Sequence, residues 1–182
     1  MENLNPKDVF RDALLELSEV NKINNITVVD LVEKAGLSRQ TFYRHFYNID
    51  DLVFYIHKKN VESAHISMDQ LNDGAMFIDL YVKLMHSNKR FYKQVISFNP
   101  QSPFVQTYIS ETKKKMLVYT FNKNTQELLE SRKLYFDYSF YCIAFCISLL
   151  EWLKYDNDIP PQEVANSFKA LIPNSLVRFL YF

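Results

Sequence analysis

Glycine is nearly absent, with 2 in 182 residues. So few exclude glycine-rich loops that cradle phosphates and argue against a turn-rich all-β fold; helices are favoured. Net charge is missing too: 21 Lys and Arg offset 21 Asp and Glu, so the overall field announces no nucleic-acid partner. Cysteine is limited to Cys142 and Cys146. Four apart on a helix, they share a face but lie too far apart along the axis for an undistorted disulfide. They are expected to be small buried hydrophobes in a reducing cytoplasm. The polar start MENLNPKDVFRD has no apolar core for a signal peptide. The apolar run from Tyr138 to Leu150, bracketed by Asp137 and Glu151, is shorter than a membrane span. A soluble, cytoplasmic protein with no membrane partner is the expectation.

Hydrophobic residues make up 48% of the chain and charged ones 23%, the balance of a globular protein. The charge is unevenly placed. Between Lys34 and Ile49 no acidic residue occurs, while Lys34, Arg39 and Arg44 are basic and His45 can add to them. A local basic patch on a neutral protein is enough to dock on phosphates.

Periodicity predicts an all-α protein. Phe10, Ala13, Leu14 and Leu17 form the apolar stripe of a first helix over 7–20. Thr27 caps a second, whose face is Val28, Leu31, Val32 and Ala35, and Gly36 ends it. Ser38 caps a third over 39–47, with Phe42 and Phe46 inward. Asn48 caps a fourth from Ile49 to about Met68, with Asp51 at its third position. Further helices are expected over 75–87, 89–97, 104–122 and 134–155, and a last one from Pro160-Pro161 that Pro173 ends or kinks. Breaks are expected at Asp73-Gly74 and at Asn99-Pro100.

Residues 27–46, TVVDLVEKAGLSRQTFYRHF, carry the function. A helix-turn-helix needs a short helix, a tight turn that often contains glycine, and a second helix for the major groove. The turn holds the only glycine of the first 73 residues, and a cap precedes each helix. Arg39, Gln40, Thr41, Tyr43 and Arg44 are left for the outside. Arg39, Gln40 and Arg44 carry the groups that read base edges or grip phosphate. Thr27 and Ser38, at helix starts, serve as caps or as contacts to the DNA backbone.

Thr27-Val28-x-x-Leu31, Ala35-Gly36-Leu37-Ser38, Thr41-Phe42-Tyr43-x-His45-Phe46 and Asn48-x-x-x-Leu52 resemble the TetR family of bacterial regulators. The resemblance implies a three-helix DNA-binding head over 1–50 and a helical ligand-binding and dimerisation body over 51–182, joined by the fourth helix. Tyr43 and His45 match family positions that contact DNA and would mainly hold phosphates, the alternative for His45 being simple packing. Two departures stand out. Ile49 occupies a place where the family often has a phosphate-binding lysine, and residues 22–26, KINNI, lack the family's usual glycine. Losing one phosphate contact lowers the salt slope by about one unit without abolishing binding. Farther on, Trp152 followed by Ile159-Pro160-Pro161 resembles a TetR-like subgroup that includes activators of dihydroxyacetone kinase genes.

In the body, Tyr81, Met85, Phe91, Tyr92, Tyr108, Met116, Tyr119 and Phe140 are candidates to line an effector cavity, or else ordinary packing. Lys113-Lys114-Lys115 either attracts an anionic ligand or forms a solvated face. The helix over 134–155 is apolar almost all round; the resemblance implies that with the final helix it forms half of an intersubunit four-helix bundle, the alternative being plain monomer core. No nucleophile elbow, phosphate loop or metal-spaced histidine motif is present, so neither catalysis nor a cofactor or metal is expected. The expected function is a homodimeric regulator of double-stranded DNA, a ligand-responsive repressor on a palindromic operator. The alternative is an activator or co-regulator controlled by a protein partner.

Overall fold

The computed structural model describes residues 5–68, 74–96, 102–121, 125–155 and 159–179, and among these no strand occurs. The breaks expected at Asp73 and at Asn99-Pro100 lie outside the described residues.

The head is built from three capped helices. In α1 (Pro6–Leu17), the Asn5 side chain accepts from the Lys7 N–H at 3.1 Å, and Pro6 sits where a missing N–H costs nothing. Where the family's glycine is lacking, the chain makes a 3₁₀ turn, Ile23–Asn25, that buries Ile23. α2 (Val28–Ala35) opens with a reciprocal cap. Thr27 Oγ1 accepts from the Asp30 N–H at 3.3 Å, and the Asp30 carboxylate accepts from the Thr27 N–H at 2.7 Å. Gly36 then turns the chain at φ 63, and α3 (Arg39–His45) starts at Ser38, whose hydroxyl accepts from the Thr41 N–H at 3.0 Å. Phe10, Leu14, Leu31, Phe42 and Phe46 close the small core, with Phe10 edge-on to Phe42 at 5.3 Å and to Phe46 at 6.3 Å.

α3 stops two residues earlier than its sequence predicts. Phe46 is extended, and the Tyr47 N–H donates to the Asp51 carboxylate at 3.1 Å while Asn48 Oδ1 accepts from the Asp51 N–H at 2.9 Å. Tyr47 thereby belongs to the start of α4 (Ile49–Met68) rather than to the end of α3. Ile49 packs half-buried on the core, so the position that often carries a phosphate-binding lysine is spent here on burial. Tyr55 on α4 donates to Asp8 on α1 at 3.0 Å, and burial with that carboxylate raises its phenol to about 12.

The body comprises α5 (Gly74–Ser87), α6 (Lys89–Ile96), α7 (Pro103–Phe121), α8 (Thr125–Glu130), α9 (Arg132–Lys154), α10 (Pro161–Ala170) and α11 (Asn174–Val177). α9 is the central helix, packed on α6, α7 and α8, while α10 lies along α5. Its inner stripe is Leu134, Tyr138, Cys142, Phe145, Cys146, Leu149 and Leu153. By length and composition α9 could cross a membrane, but that stripe is occupied by the body's own core. Asp79 of α5 receives Lys169 of α10 at 2.9 Å and Gln162 at 2.9 Å. Head and body meet through Arg90 of α6 and Glu19, 3.2 Å apart. α8 and α11 are additions to the expected helices. Pro173 does not end α10, which stops at Ala170, but precedes α11 instead.

Candidate nucleic-acid interface and effector core

Two turns of helix present the candidate DNA-reading face. Phe42 and Phe46 anchor one side of α3 in the head core, and the 100° step per residue then turns Arg39, Gln40, Tyr43 and Arg44 outward. All four are exposed, Tyr43 by 60%. An exposed tyrosine, apolar in its ring and polar at its tip, suits contact with a partner surface. Neither Arg39 nor Arg44 has an ion-pair partner among the described residues. Lys34 differs: it pairs with Glu16, so its charge is partly spent inside the head.

Thr41 and His45 sit on the flank of α3, half-buried. Ser38 and Thr27 both act as caps. The Thr27 hydroxyl also donates to Asp30 at 2.8 Å, while Ser38 and Thr41 share a 2.9 Å hydroxyl contact. A hydroxyl that accepts at a helix start can still present its proton to a phosphate; Ser38, exposed on the same end as Arg39, is so placed. Tyr47 was not singled out from sequence, yet at 87% it is more exposed than Tyr43 beside it. Its place before the Asn48 cap was the available signal.

The effector candidates separate into two groups. Tyr81, Met85, Phe91, Tyr92, Tyr108 and Met116 are buried in the body, and Tyr119 is half-buried against them. Several form one connected polar and aromatic core. Tyr81 shares a 2.8 Å hydrogen bond with Thr112, and Tyr92 shares one of 2.9 Å with His57 Nδ1. The His57 ring meets those of Tyr92, Phe104 and Tyr108 edge-on, at 5.3–5.9 Å. Phe77 stacks on Tyr81 and Tyr119. The Tyr108 hydroxyl lies against Tyr81 and the Cys146 thiol, without a hydrogen bond of good geometry.

Burial, and then the nearby Lys115 charge, lowers His57 to about 3. Burial also pushes the Cys142 thiol up to about 12, so the two cysteines are protonated core groups. His57 and Thr112 were not among the candidates. Thr112 sits four residues from both Tyr108 and Met116 on α7, a spacing that could have marked it.

Phe140 corrects the sequence expectation. It is 64% exposed on the side of α9 opposite the inner stripe and stacks on Phe136, itself 68% exposed. Phe140 therefore lines no interior cavity. It borders instead an outer pocket of about 180 Å³ with Tyr141, Phe168 and Leu171. The lysine run is split three ways. Lys114 pairs with Glu111 outside, Lys115 is half-buried toward α4, and Lys113 folds onto α9.

Known proteins resemble the chain at both ends. Residues 12–56 match the model of the bacterial regulatory proteins of the tetR family, and residues 75–174 match a transcriptional regulator C-terminal region of TetR type. A search of curated proteins finds no match. Among solved structures, the dihydroxyacetone kinase operon activator DhaS superposes with a TM-score of 0.65 at 17% identity, over 98% of this chain and 99% of that one. The TetR family repressor AlkX from Dietzia sp. strain DQ12-45-1b, implicated in biodegradation of n-alkanes, superposes with a TM-score of 0.54 at 16% identity, over 94% and 98%. At such identities these likenesses show the fold. The helix-turn-helix with its free arginines, the all-helical body and the two matched regions together place the chain in the TetR family of DNA-binding transcriptional regulators.

Proposed function

We propose that this regulator grips its operator through Arg39, Gln40, Tyr43 and Arg44, with Ser38, Thr41, His45 and Thr27 on the flanking phosphates. The observation that carries this is the outward face of α3, where two unpaired arginines and an exposed tyrosine share one side. Arginine suits guanine edges and glutamine suits adenine edges. TetR-family regulators bind DNA, are not enzymes, and typically act as dimers. For this chain we place the DNA-binding unit at 1–50 and the effector and dimerisation unit at 51–182. Two copies joined through α9 and α10 would read half-sites of a palindrome in the cytoplasm. Phe136, Phe140 and Ile143 on α9, with Leu171 beyond α10, are the exposed apolar surface that supports such a joint.

Regulation follows as a two-state mechanism. A small molecule held among Tyr81, Tyr92, Tyr108 and their neighbours favours a head spacing that no longer fits half-sites about one helical turn apart, or a multiple of it. The unpartnered Tyr108 hydroxyl supports an effector with hydrogen-bonding groups. The closed state of that core, where Tyr81, Met85, Tyr92 and Tyr108 are fully buried, supports a second reading. In it the body answers to a protein partner, and the chain acts as an activator, as the name of the DhaS neighbour says of that protein.

Fluorescence anisotropy with DNA from the gene's own upstream region, at two salt concentrations, tests the DNA assignment. Arg44→Ala and Tyr43→Ala are each expected to cost about 1–3 kcal/mol of operator binding. Binding no tighter to any upstream sequence than to random DNA would refute it. Native mass spectrometry with cell extract then separates a bound small molecule from a bound protein.

A further inference from the structure

Outside the buried core, α7, α8 and α9 border a second, wide-open cleft of about 400 Å³. That volume suits a small organic ligand. Much of its wall is apolar: Ile109 and Leu117 come from α7, Leu129 from α8, and Tyr135, Tyr138 and Ile143 from α9, with Gln106 and Ser110 of α7 beside them. Leu129 and Tyr135 are 52% and 44% exposed, so the cleft is unfilled apolar surface.

Of the two lysines that line it, Lys113 is fixed against α9. Lys113 Nζ donates to Ser139 Oγ at 3.0 Å and lies over the Tyr135 and Tyr138 rings, 5.4 and 5.9 Å from their centroids. The Tyr138 hydroxyl donates back to the Lys113 carbonyl, so the lysine is held at both ends of its own residue. No carboxylate lines the cleft, and Lys113 has no ion-pair partner among the described residues. An ammonium has three donors; the hydroxyl of Ser139 takes one, and the rings take no localised hydrogen bond. A half-buried charge with spare donors and an apolar bed beside it is matched by one chemistry.

We propose that this cleft binds an organic anion with an apolar body, its acid group on Lys113 and its hydrocarbon or ring on Ile109, Leu117 and Leu129. The site is separate from the buried core and from the DNA face, and it stands whether or not either of those assignments does. Lys114 also borders the cleft, but its charge is already paired with Glu111 at 2.7 Å, which leaves Lys113 as the cation for the acid group.

The test compares two fluorescent probes of similar shape on the full-length protein. One is the sulfonate 8-anilinonaphthalene-1-sulfonate, and the other is uncharged N-phenyl-1-naphthylamine. Lys113→Met is expected to weaken the sulfonate about tenfold and leave the neutral probe within about twofold, because only the charge-assisted contact is lost. Lys113→Arg keeps the charge and retains sulfonate binding. Lys114→Met, which removes a charge that Glu111 already offsets, leaves both probes within about twofold, and Leu117→Trp fills the cleft and weakens both. Circular dichroism checks each fold. Equal loss of both probes in Lys113→Met, with Lys113→Arg behaving the same way, would make Lys113 only a clasp between α7 and α9. Unchanged binding in Leu117→Trp would place the probes elsewhere, and binding that falls as the protein dimerises would put a second copy over the cleft. Each of these overturns the proposal.

Discussion

Single side chains in this protein are specialised by what surrounds them, and His57 is the clearest case. It is 3% exposed among Tyr92, Phe104, Tyr108 and Phe54, with Lys115 as the nearest charge, and is held near pKa 3. An unfolded histidine takes up its proton near about pH 6.5. Between those values the unfolded chain carries a proton that the native state refuses, so falling pH favours unfolding. The fold's stability should therefore drop as pH falls from about 6.5 toward 3, by up to about 1.4 kcal/mol per unit from this residue. His57→Gln loses packing but also loses that dependence. Urea midpoints at several pH values should show a flatter profile for the variant, and parallel profiles would show that His57 is not the source.

The helices owe their ends to short-range chemistry. Thr27 with Asp30, Ser38 with Thr41, and Asn48 with Asp51 each satisfy N–H groups that the first helical turn leaves free. Gly36 is the counterpart at a helix end. It sits at φ 63, and a methyl group added there would meet no atom within 4 Å. The whole cost of Gly36→Ala is then backbone conformation, about 1 kcal/mol, or roughly 2–4 °C in a thermal melt. Gly36→Asn, which tolerates the left-handed region, should lose less. A melt in which the asparagine variant falls as far as the alanine one would assign the loss to something other than φ. α3 itself spans only Arg39–His45. Its orientation is held by the Phe10, Phe42 and Phe46 rings rather than by helical propensity, since so short a helix is marginal alone.

For the whole molecule the question is how two heads are held at one spacing. Tyr55 on Asp8, and Arg90 by Glu19, tie the head to α4 and α6. His57 and Phe54 carry α4 into the body core, where any rearrangement around Tyr92 or Tyr108 is felt directly by the connecting helix. The proposed joint between two copies lies on the outer side of α9. Phe140→Glu should convert the dimer to monomer in size-exclusion chromatography with light scattering, and should weaken operator binding with it. A charge buried in an apolar joint is strongly destabilising. A Phe140→Glu protein that stays dimeric would move the interface to another face.

The head was legible in the amino-acid sequence because its determinants are local. Caps, the glycine stop and the Phe42–Phe46 spacing act within a few residues, and a short helix pinned by them can expose only Arg39, Gln40, Tyr43 and Arg44. Even so, the end of α3 was misread, because Asp51 captures the Tyr47 N–H from the next helix. The body was legible only as helices. Aromatic residues that line a cavity and those that fill a core have the same period, so Tyr108 and Phe140 looked alike until neighbours put one inside and the other outside. The same holds for Lys113, Lys114 and Lys115. The 100° step per residue spreads them over three directions, but which faces the apolar cleft, solvent or α4 is decided by the helices packed around α7.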